Sequence, residues 1–341
     1  VIAFRVPEGA VRGAMICATH SDSPAFKIKE NAENAGRHYV RLNTEKYGGM
    51  LCAGWLDRPL AVAGRLAVRT GSGVDTVLVD TGRPVALIPS LAIHMNRKAN
   101  DGYAYNPAVD LLPLLGGKDA KGKFQALLEQ EAGGKILGHD LFLYIRENAR
   151  VWGVDEEYIS AQAIDDLECA WCCTQGFLAA QESEAIPVLC VFDSEEVGSG
   201  SVQGAASMLL PDVLRRICES CGWNLDQLLA QSFMISADNA HAIHPNHPEH
   251  ADRNHTVHMN GGVVIKYNAN QKYTSDAVSV ALFKTICDEA GVPVQYYANR
   301  ADMPGGSTLG SIATTLTPML SVDIGMAQLA MHSAVETAGA L

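Results

Sequence analysis

The feature that most constrains this chain is a set of short apolar runs that stop abruptly at carboxylates or histidine. Residues 14–18 run into Thr19-His20-Ser21-Asp22, and residues 187–192 into Asp193-Ser194-Glu195-Glu196. Residues 232–236 stop just before Asp238. Runs of this length, apolar almost throughout, suit strands covered on both faces. Between them lie stretches with helical spacing at 164–180, from 202–210 onward and at 275–290. Further short runs at 263–266, 294–298, 311–313 and 318–322 continue the alternation. The pattern predicts an α/β domain on a mostly parallel or mixed sheet.

Residues 24–155 have a different texture. Glycine turns separate short alternating runs at 26–29, 39–42, 66–68, 76–79 and 140–145, with a helical piece at 123–131. This predicts a mainly β domain (25–155) inserted into a discontinuous α/β domain (1–24 and 156–341). The opening Val-Ile-Ala-Phe-Arg-Val reads as a strand rather than a signal peptide and has no initiator Met. The chain is therefore expected to lack its natural N-terminus, and to stop inside a helical pattern after Glu336.

Composition narrows the function. Of 341 residues, 48% are apolar and 19% charged, as in ordinary globular domains. No apolar run has the ~18 residues of a membrane-spanning helix, so no membrane role is expected. A net charge of −12 argues against nucleic acid, which selects clustered Lys and Arg. The nine cysteines are an odd number scattered among apolar neighbours, which reads as free thiols in a reducing, cytoplasmic setting. Cys169-x-x-Cys172 and Cys218-x-x-Cys221 imitate a zinc ribbon, but their separation is too long and both fall in helical patterns, so they read as helix packing.

The strand ends carry the chemistry. In open α/β sheets ligands gather beyond the carboxyl ends of the strands. His20, Asp22, Glu195, Glu196 and Asp238 fall there, Asp165 opens the helix that follows the β-rich segment, and His332 lies beyond the last run. A single Asp at a helix start is usually a cap; the set as a whole is the donor mixture that a pair of divalent ions requires. Several carboxylates offset about four positive charges, one of them bridges, and imidazoles complete the shells. A further carboxylate must move the proton of the attacking water. Adjacent Glu195 and Glu196 point differently and divide the work, one as ligand and one as base.

The chain resembles the aspartyl aminopeptidase family over nearly its whole length. The likeness rests on Ala18-Thr-His-Ser-Asp-Ser-Pro24, Asp193-Ser-Glu-Glu-Val-Gly-Ser199, Ser236-Ala-Asp-Asn-Ala-His-Ala-Ile-His-Pro-Asn246 and Met303-Pro-Gly-Gly-Ser-Thr308. Shorter matches are Trp55-Leu-Asp-Arg-Pro59, Ile88-Pro-Ser-Leu-Ala-Ile-His94 and Lys266-Tyr-Asn-Ala-Asn-Gln271. The resemblance implies a di-metal aminopeptidase with helices on both faces of its sheet, an inserted mainly β dimerisation domain, and tetrahedral homododecamers. It implies release of N-terminal Asp or Glu from peptides. His20, Asp165 and Asp238 would hold one ion and Asp165, Glu196 and His332 the other, with zinc as the metal and cobalt or manganese as alternatives. The match at Asp165 is short, and Asp166 is its adjacent rival. Glu195 would be the general base, and Asp22 would orient His20. His94 would reach a neighbouring subunit's site, and Lys266 would meet the acidic side chain of the substrate. Gly305, Gly306 and Ser307 would shape the pocket floor by backbone amides.

Other motifs are weaker. His241, His244, His247, His250, His255 and His258 tempt a metal reading, but Pro245 and Pro248 break the helix that would align them. His241 and His244 read as supporting groups near the site and the others as loop residues. The stretch Gly198-Ser-Gly-Ser-Val-Gln-Gly204 is off by one from a dinucleotide loop, and the carboxylates before it would repel a pyrophosphate. Its expected use is close packing of a helix behind the two Glu. A carboxypeptidase or deacylase of the same broad kind would need an Arg clamp, and none can be placed. A non-catalytic assembly protein would have no reason to keep Glu195 with the full ligand set.

Overall fold

A computed structural model describes all residues 1–341. The chain divides into two compact units, the first comprising Val1–Ser23, Arg150–Met331 and Glu336–Leu341, the second Pro24–Ala149 and His332–Val335.

The first unit is built on a mixed seven-stranded sheet. Its order is Ile2–Phe4, Ala185–Phe192, Gly13–His20, Phe233–Ala237, Leu320–Gly325, Val263–Tyr267, Val294–Ala298. The central pairings of Gly13–His20 with Ala185–Phe192 and with Phe233–Ala237 are parallel, as is that of Phe233–Ala237 with Leu320–Gly325. Because the central strands are buried on both faces, successive residues serve different layers. Ala14, Ile16 and Ala18 pack with Leu210, Leu214, Leu309 and Ala313 from helices Leu209–Cys221 and Leu309–Leu316. Cys17 faces the other way, against Cys169 and Cys173 of helix Ile164–Ala179. Helices thus cover both faces. All nine cysteines are free, and Cys169 and Cys218 belong to different cores, so the two Cys pairs form no ribbon. A second sheet, in the order Ala240–His241, Ala327–Leu329, Glu336–Gly339, Tyr158–Ala161, Arg150–Trp152, completes this unit.

The second unit carries an antiparallel six-stranded sheet, Gly73–Asp80, Leu60–Thr70, Ile136–Ile145, Ala25–Ala35, Tyr39–Tyr47, Leu114–Gly117. Phe26, Ile28, Leu42, Leu60, Leu141 and Leu143 alternate inward to form its core, with Phe124 and Leu128 of helix Lys123–Ala132 laid against it.

Three local expectations fail. Residues 202–208 are turns, and the helix begins only at Leu209. Gly204 lies so close to the Ser199 carbonyl that a Cβ would sit 2.1 Å from its oxygen, and the Gln203 carbonyl accepts the Asp193 N–H, so the segment folds back on the Glu195 turn instead of starting a helix. Residues 311–313 are helical, within Leu309–Leu316, because Leu309 and Ala313, one turn apart, pack together into the core. Residues 336–339 form a strand, since the neighbours Ala327–Leu329 and Tyr158–Ala161 supply ladder partners that no local pattern reveals.

Candidate metal centre

His20 is the last residue of strand Gly13–His20 and is 1% exposed. Its Nδ1 lies 3.0 Å from the Asp22 carbonyl oxygen and its Nε2 3.5 Å from Asp165 Oδ1. The carbonyl accepts the Nδ1 proton, so Nε2 is the nitrogen on the Asp165 side and the one that can offer a lone pair once its own proton is lost. Burial alone would lower the His20 pKa; Asp165 and Asp22 beside it more than reverse that and hold it well above the usual value.

Asp22 does more than face His20 at 3.5 Å. Its Oδ1 accepts the Glu195 amide at 3.0 Å and its Oδ2 the Glu196 amide at 3.1 Å. One carboxylate therefore fixes the turn Glu195–Val197 against the end of the neighbouring strand. The turn begins from Ser194 at φ 64°, a left-handed residue that redirects the chain at the carboxyl end of Ala185–Phe192. Glu195 and Glu196 are each partly buried.

Asp165 and Asp166 open helix Ile164–Ala179 with non-helical backbone and are joined by a cis peptide bond. Their surroundings differ. Asp166 is fully buried, and its Oδ2 accepts the Thr19 hydroxyl and, at 3.2 Å, the His20 amide. Asp165 Oδ1 faces His20 Nε2, while the Asp165 amide donates to Glu336 Oε2 at 2.9 Å and its carbonyl accepts Ser23 Oγ at 2.8 Å. Asp166 thus ties the segment to the strand, and Asp165 turns its carboxylate toward the ring nitrogen.

Asp238 follows strand Phe233–Ala237 and is 8% exposed. Its carbonyl lies against Gly325, where a Cβ would come within 1.9 Å, so only glycine admits the approach. Lys266 does not reach solvent. It is 2% exposed, and its Nζ donates to the Asp238 carbonyl at 2.8 Å and the Asn239 carbonyl at 3.4 Å. It also sits 3.9 Å from Asp238 Oδ2 and 5.2 Å from the centre of the Tyr273 ring.

These residues form one buried group. The ligand atoms of His20, Asp165, Asp166 and Asp238 lie within 4.8 Å of one another, as do those of His20, Glu195 and Glu196. Burial, opposed by Lys266 and reinforced by Asp165, pushes Asp238 up to about 6. Burial and then Asp238 push Glu195 up to about 8. Asp166, raised by burial against the pull of His20, keeps Oδ1 buried without a hydrogen-bond partner. Carboxylate oxygens crowded with so little opposing charge, around an imidazole whose Nε2 faces them, fit divalent cations well.

His241, Gly305 and Gly306 line a cavity of about 430 Å³ together with Tyr297, Asn299 and Gln328, whereas Ser307 and Lys266 are not on its wall. His332 belongs to the second unit, where its Nδ1 lies 2.6 Å from the Gly49 carbonyl oxygen. His94 stands in an exposed turn of that unit beside the exposed apolar side chains of Leu91, Ile93 and Met95. Sequence reasoning missed Thr19, Glu336 and Asn239. Asn239 donates to Glu168 at 2.8 Å next to Asp238. Only the adjacency of Thr19 to His20, and of Asn239 to Asp238, offered any signal.

The profile described as "Aminopeptidase I zinc metalloprotease (M18)" matches residues 1–341. A probable M18 family aminopeptidase 2 of Clostridium acetobutylicum is 44% identical across 100% of this chain and 82% of its own length. Among solved structures, a chain of the cryo-EM structure of the Ape4 and Nbr1 complex superposes with a TM-score of 0.94 at 34% identity, over 99% of this chain and 71% of that one. The S. cerevisiae mApe1 dodecamer gives 0.84 at 25% identity, over 99% and 79%. With a match along its full length and a relative of this identity, the chain belongs to the M18 family of metallo-aminopeptidases, the aspartyl aminopeptidase family.

Proposed function

We propose that the chain removes N-terminal Asp or Glu from peptides, using two divalent ions, zinc in the first instance. The observation that carries this reading is the buried group of His20, Asp165, Asp166 and Asp238 with Glu195 and Glu196 at its edge. By the family resemblance, His20, Asp165 and Asp238 would hold one ion, and Asp165, Glu196 and His332 the other. Bound there, such ions would supply Lewis-acid polarisation of the scissile carbonyl and acidify a water near neutral pH.

The chain's own residues do the rest. Asp22 aligns Glu195 and Glu196 through their amides and anchors His20 through its carbonyl. The Glu195 carboxylate takes a proton from the attacking water and returns it to the leaving amine. Lys266 fixes the Asp238 backbone and places a cation behind the site, which favours an acidic side chain over a basic one. His241, Gly305 and Gly306 border the cavity that receives the substrate. The dodecamer of the yeast relative and the exposed apolar turn at His94 support a closed homo-oligomer in which His94 completes a neighbour's site.

The test compares Asp-, Glu-, Ala- and Lys-peptides on wild type and Lys266→Met, with and without a chelator. Chelation abolishes turnover and added metal restores it. Wild type prefers the acidic substrates, and the variant loses more on these than on Ala-peptides. Chelator-resistant turnover defeats the metal mechanism, and equal losses on all substrates give Lys266 a purely structural role.

A further inference from the structure

Away from the buried group, the chain gathers histidine a second time. Between His241 and His255 it places His244, His247, His250 and Asp252 along the wall of the 430 Å³ cavity, with Glu249 between His247 and His250 in sequence. Of the two prolines that break helical spacing here, Pro248 sets a different alignment. Pro248 opens a short 3-10 turn, Pro248–His250, which brings the side chains on either side of Glu249 together. Glu249 Oε1 lies 3.0 Å from His247 Nδ1 and 3.8 Å from His250 Nε2, and the His247 and His250 ring centres are 5.7 Å apart.

The neighbouring imidazoles are already committed. His244 Nδ1 accepts the Asn246 amide at 3.2 Å, and His255 Nδ1 is 2.8 Å from Asp252. Arg300, the nearby cation, pairs with Asp302 at 2.7 Å and donates to the Glu249 carbonyl, which anchors the turn and offsets its charge toward an incoming ion. What remains is one carboxylate oxygen facing two ring nitrogens, all three ligand atoms within 4.8 Å of one another.

We propose that His247, Glu249 and His250 form a separate surface site for a transition-metal ion of the zinc, nickel or copper kind. Two imidazoles and a carboxylate suit these metals and not calcium or magnesium, which take oxygen shells. Bonds of about 2.0–2.1 Å place tetrahedral donors about 3.3 Å apart, and the two Glu249 contacts at 3.0 and 3.8 Å straddle that spacing. Closing the remaining gap costs little packing, since the three side chains are 58–60% exposed. Pro248 restricts the unbound loop and so lowers the entropy lost on binding. The ion replaces the hydrogen bond between His247 and Glu249, leaves an open position toward solvent, and pins the loop that walls the cavity.

The experiment counts ions in the intact protein. Wild type, His247→Ala, His250→Ala and the double variant are equilibrated in nitrilotriacetate-buffered zinc and analysed for metal per chain by mass spectrometry. Only the difference between proteins is read, so the number of ions in the buried group does not enter. Wild type holds one more zinc than the double variant, and each single variant binds that zinc about tenfold or more weakly. Copper added to the zinc-loaded proteins supplies an independent readout. Its electron paramagnetic spectrum shows imidazole nitrogen coupling in wild type that is lost in the double variant. Equal ion counts and equal affinities across all four proteins overturn the proposal, as does a copper spectrum that the substitutions leave unchanged.

Discussion

Removing the metal should reverse the way this protein responds to pH. Four groups of the site determine the sign, Asp166, raised by its burial, being one of them. Glu195 is raised from 4.5 to about 8 and Asp238 from 3.8 to about 6, each chiefly by burial. A carboxyl raised in the folded state keeps its proton where the unfolded chain has lost it. Stability therefore falls as pH climbs from the unfolded pKa toward the folded one. His20, raised by Asp165 and Asp22 against its burial, acts in the same direction, because its stabilising charge is lost as pH rises through its folded pKa. Carboxylates held low elsewhere, such as Asp57 beside Ser90 and Asp140 beside Arg65, change stability only in more acid solution.

Between pH 5.5 and 8 one retained proton on Glu195 is worth about 3 kcal/mol, at 1.36 kcal/mol per pH unit, and Asp238 adds less than about 1. With an unfolding entropy of about 2.1 cal/mol/K per residue, a 341-residue chain should lose about 5 °C in Tm over that range. The assay is calorimetry of chelator-treated protein at the two pH values, repeated with zinc added. Metal binds the deprotonated donors, so its stabilisation grows with pH and the trend inverts. In the metal-free state Glu195→Gln should flatten most of the slope. Metal-free protein that is equally or more stable at pH 8 would refute the reading of these groups as crowded, desolvated acids.

Three further outcomes follow from the site. Glu195→Gln should lower turnover about 10²–10⁴-fold with bound metal unchanged, and lost metal would make Glu195 a ligand. Asp165→Asn should release at least one ion while Asp166→Asn, whose Oδ2 serves Thr19 and the His20 amide, retains both; equal metal content by mass spectrometry would show that the wrong aspartate has been chosen. Mixing inactive His94→Ala with inactive Glu195→Gln under subunit exchange should restore activity, because some pockets then receive both intact groups, and no recovery despite proven exchange would rule out action between subunits.

What could be read from the sequence was what is written locally. A strand buried on both faces is apolar along its length, so the central strands were visible, and the residues at their carboxyl ends stood out because His20, Glu195 and Asp238 interrupt that pattern. Where the chain's conformation depends on remote partners, the signal fades. Residues 311–313 favour a strand by composition but are helical because Leu309 and Ala313 need a common face toward the sheet. Strand Glu336–Gly339 exists through its ladders to Tyr158–Ala161 and Ala327–Leu329, and its first residue holds the Asp165 amide from 171 positions away.

The same reasoning separates the two aspartates at the helix start. Side by side in sequence they look equivalent, and no spacing rule distinguishes them. Thr19 and the His20 amide draw Asp166 toward the strand, while Glu336 holds the Asp165 amide from the other side. Between those anchors Asp165 is left turned to the imidazole nitrogen. The histidine-rich loop shows the converse: Pro248, which helps rule out a helix, also opens the turn that sets Glu249 between His247 and His250. A broken periodicity therefore excludes one geometry for a ligand set without excluding the set itself.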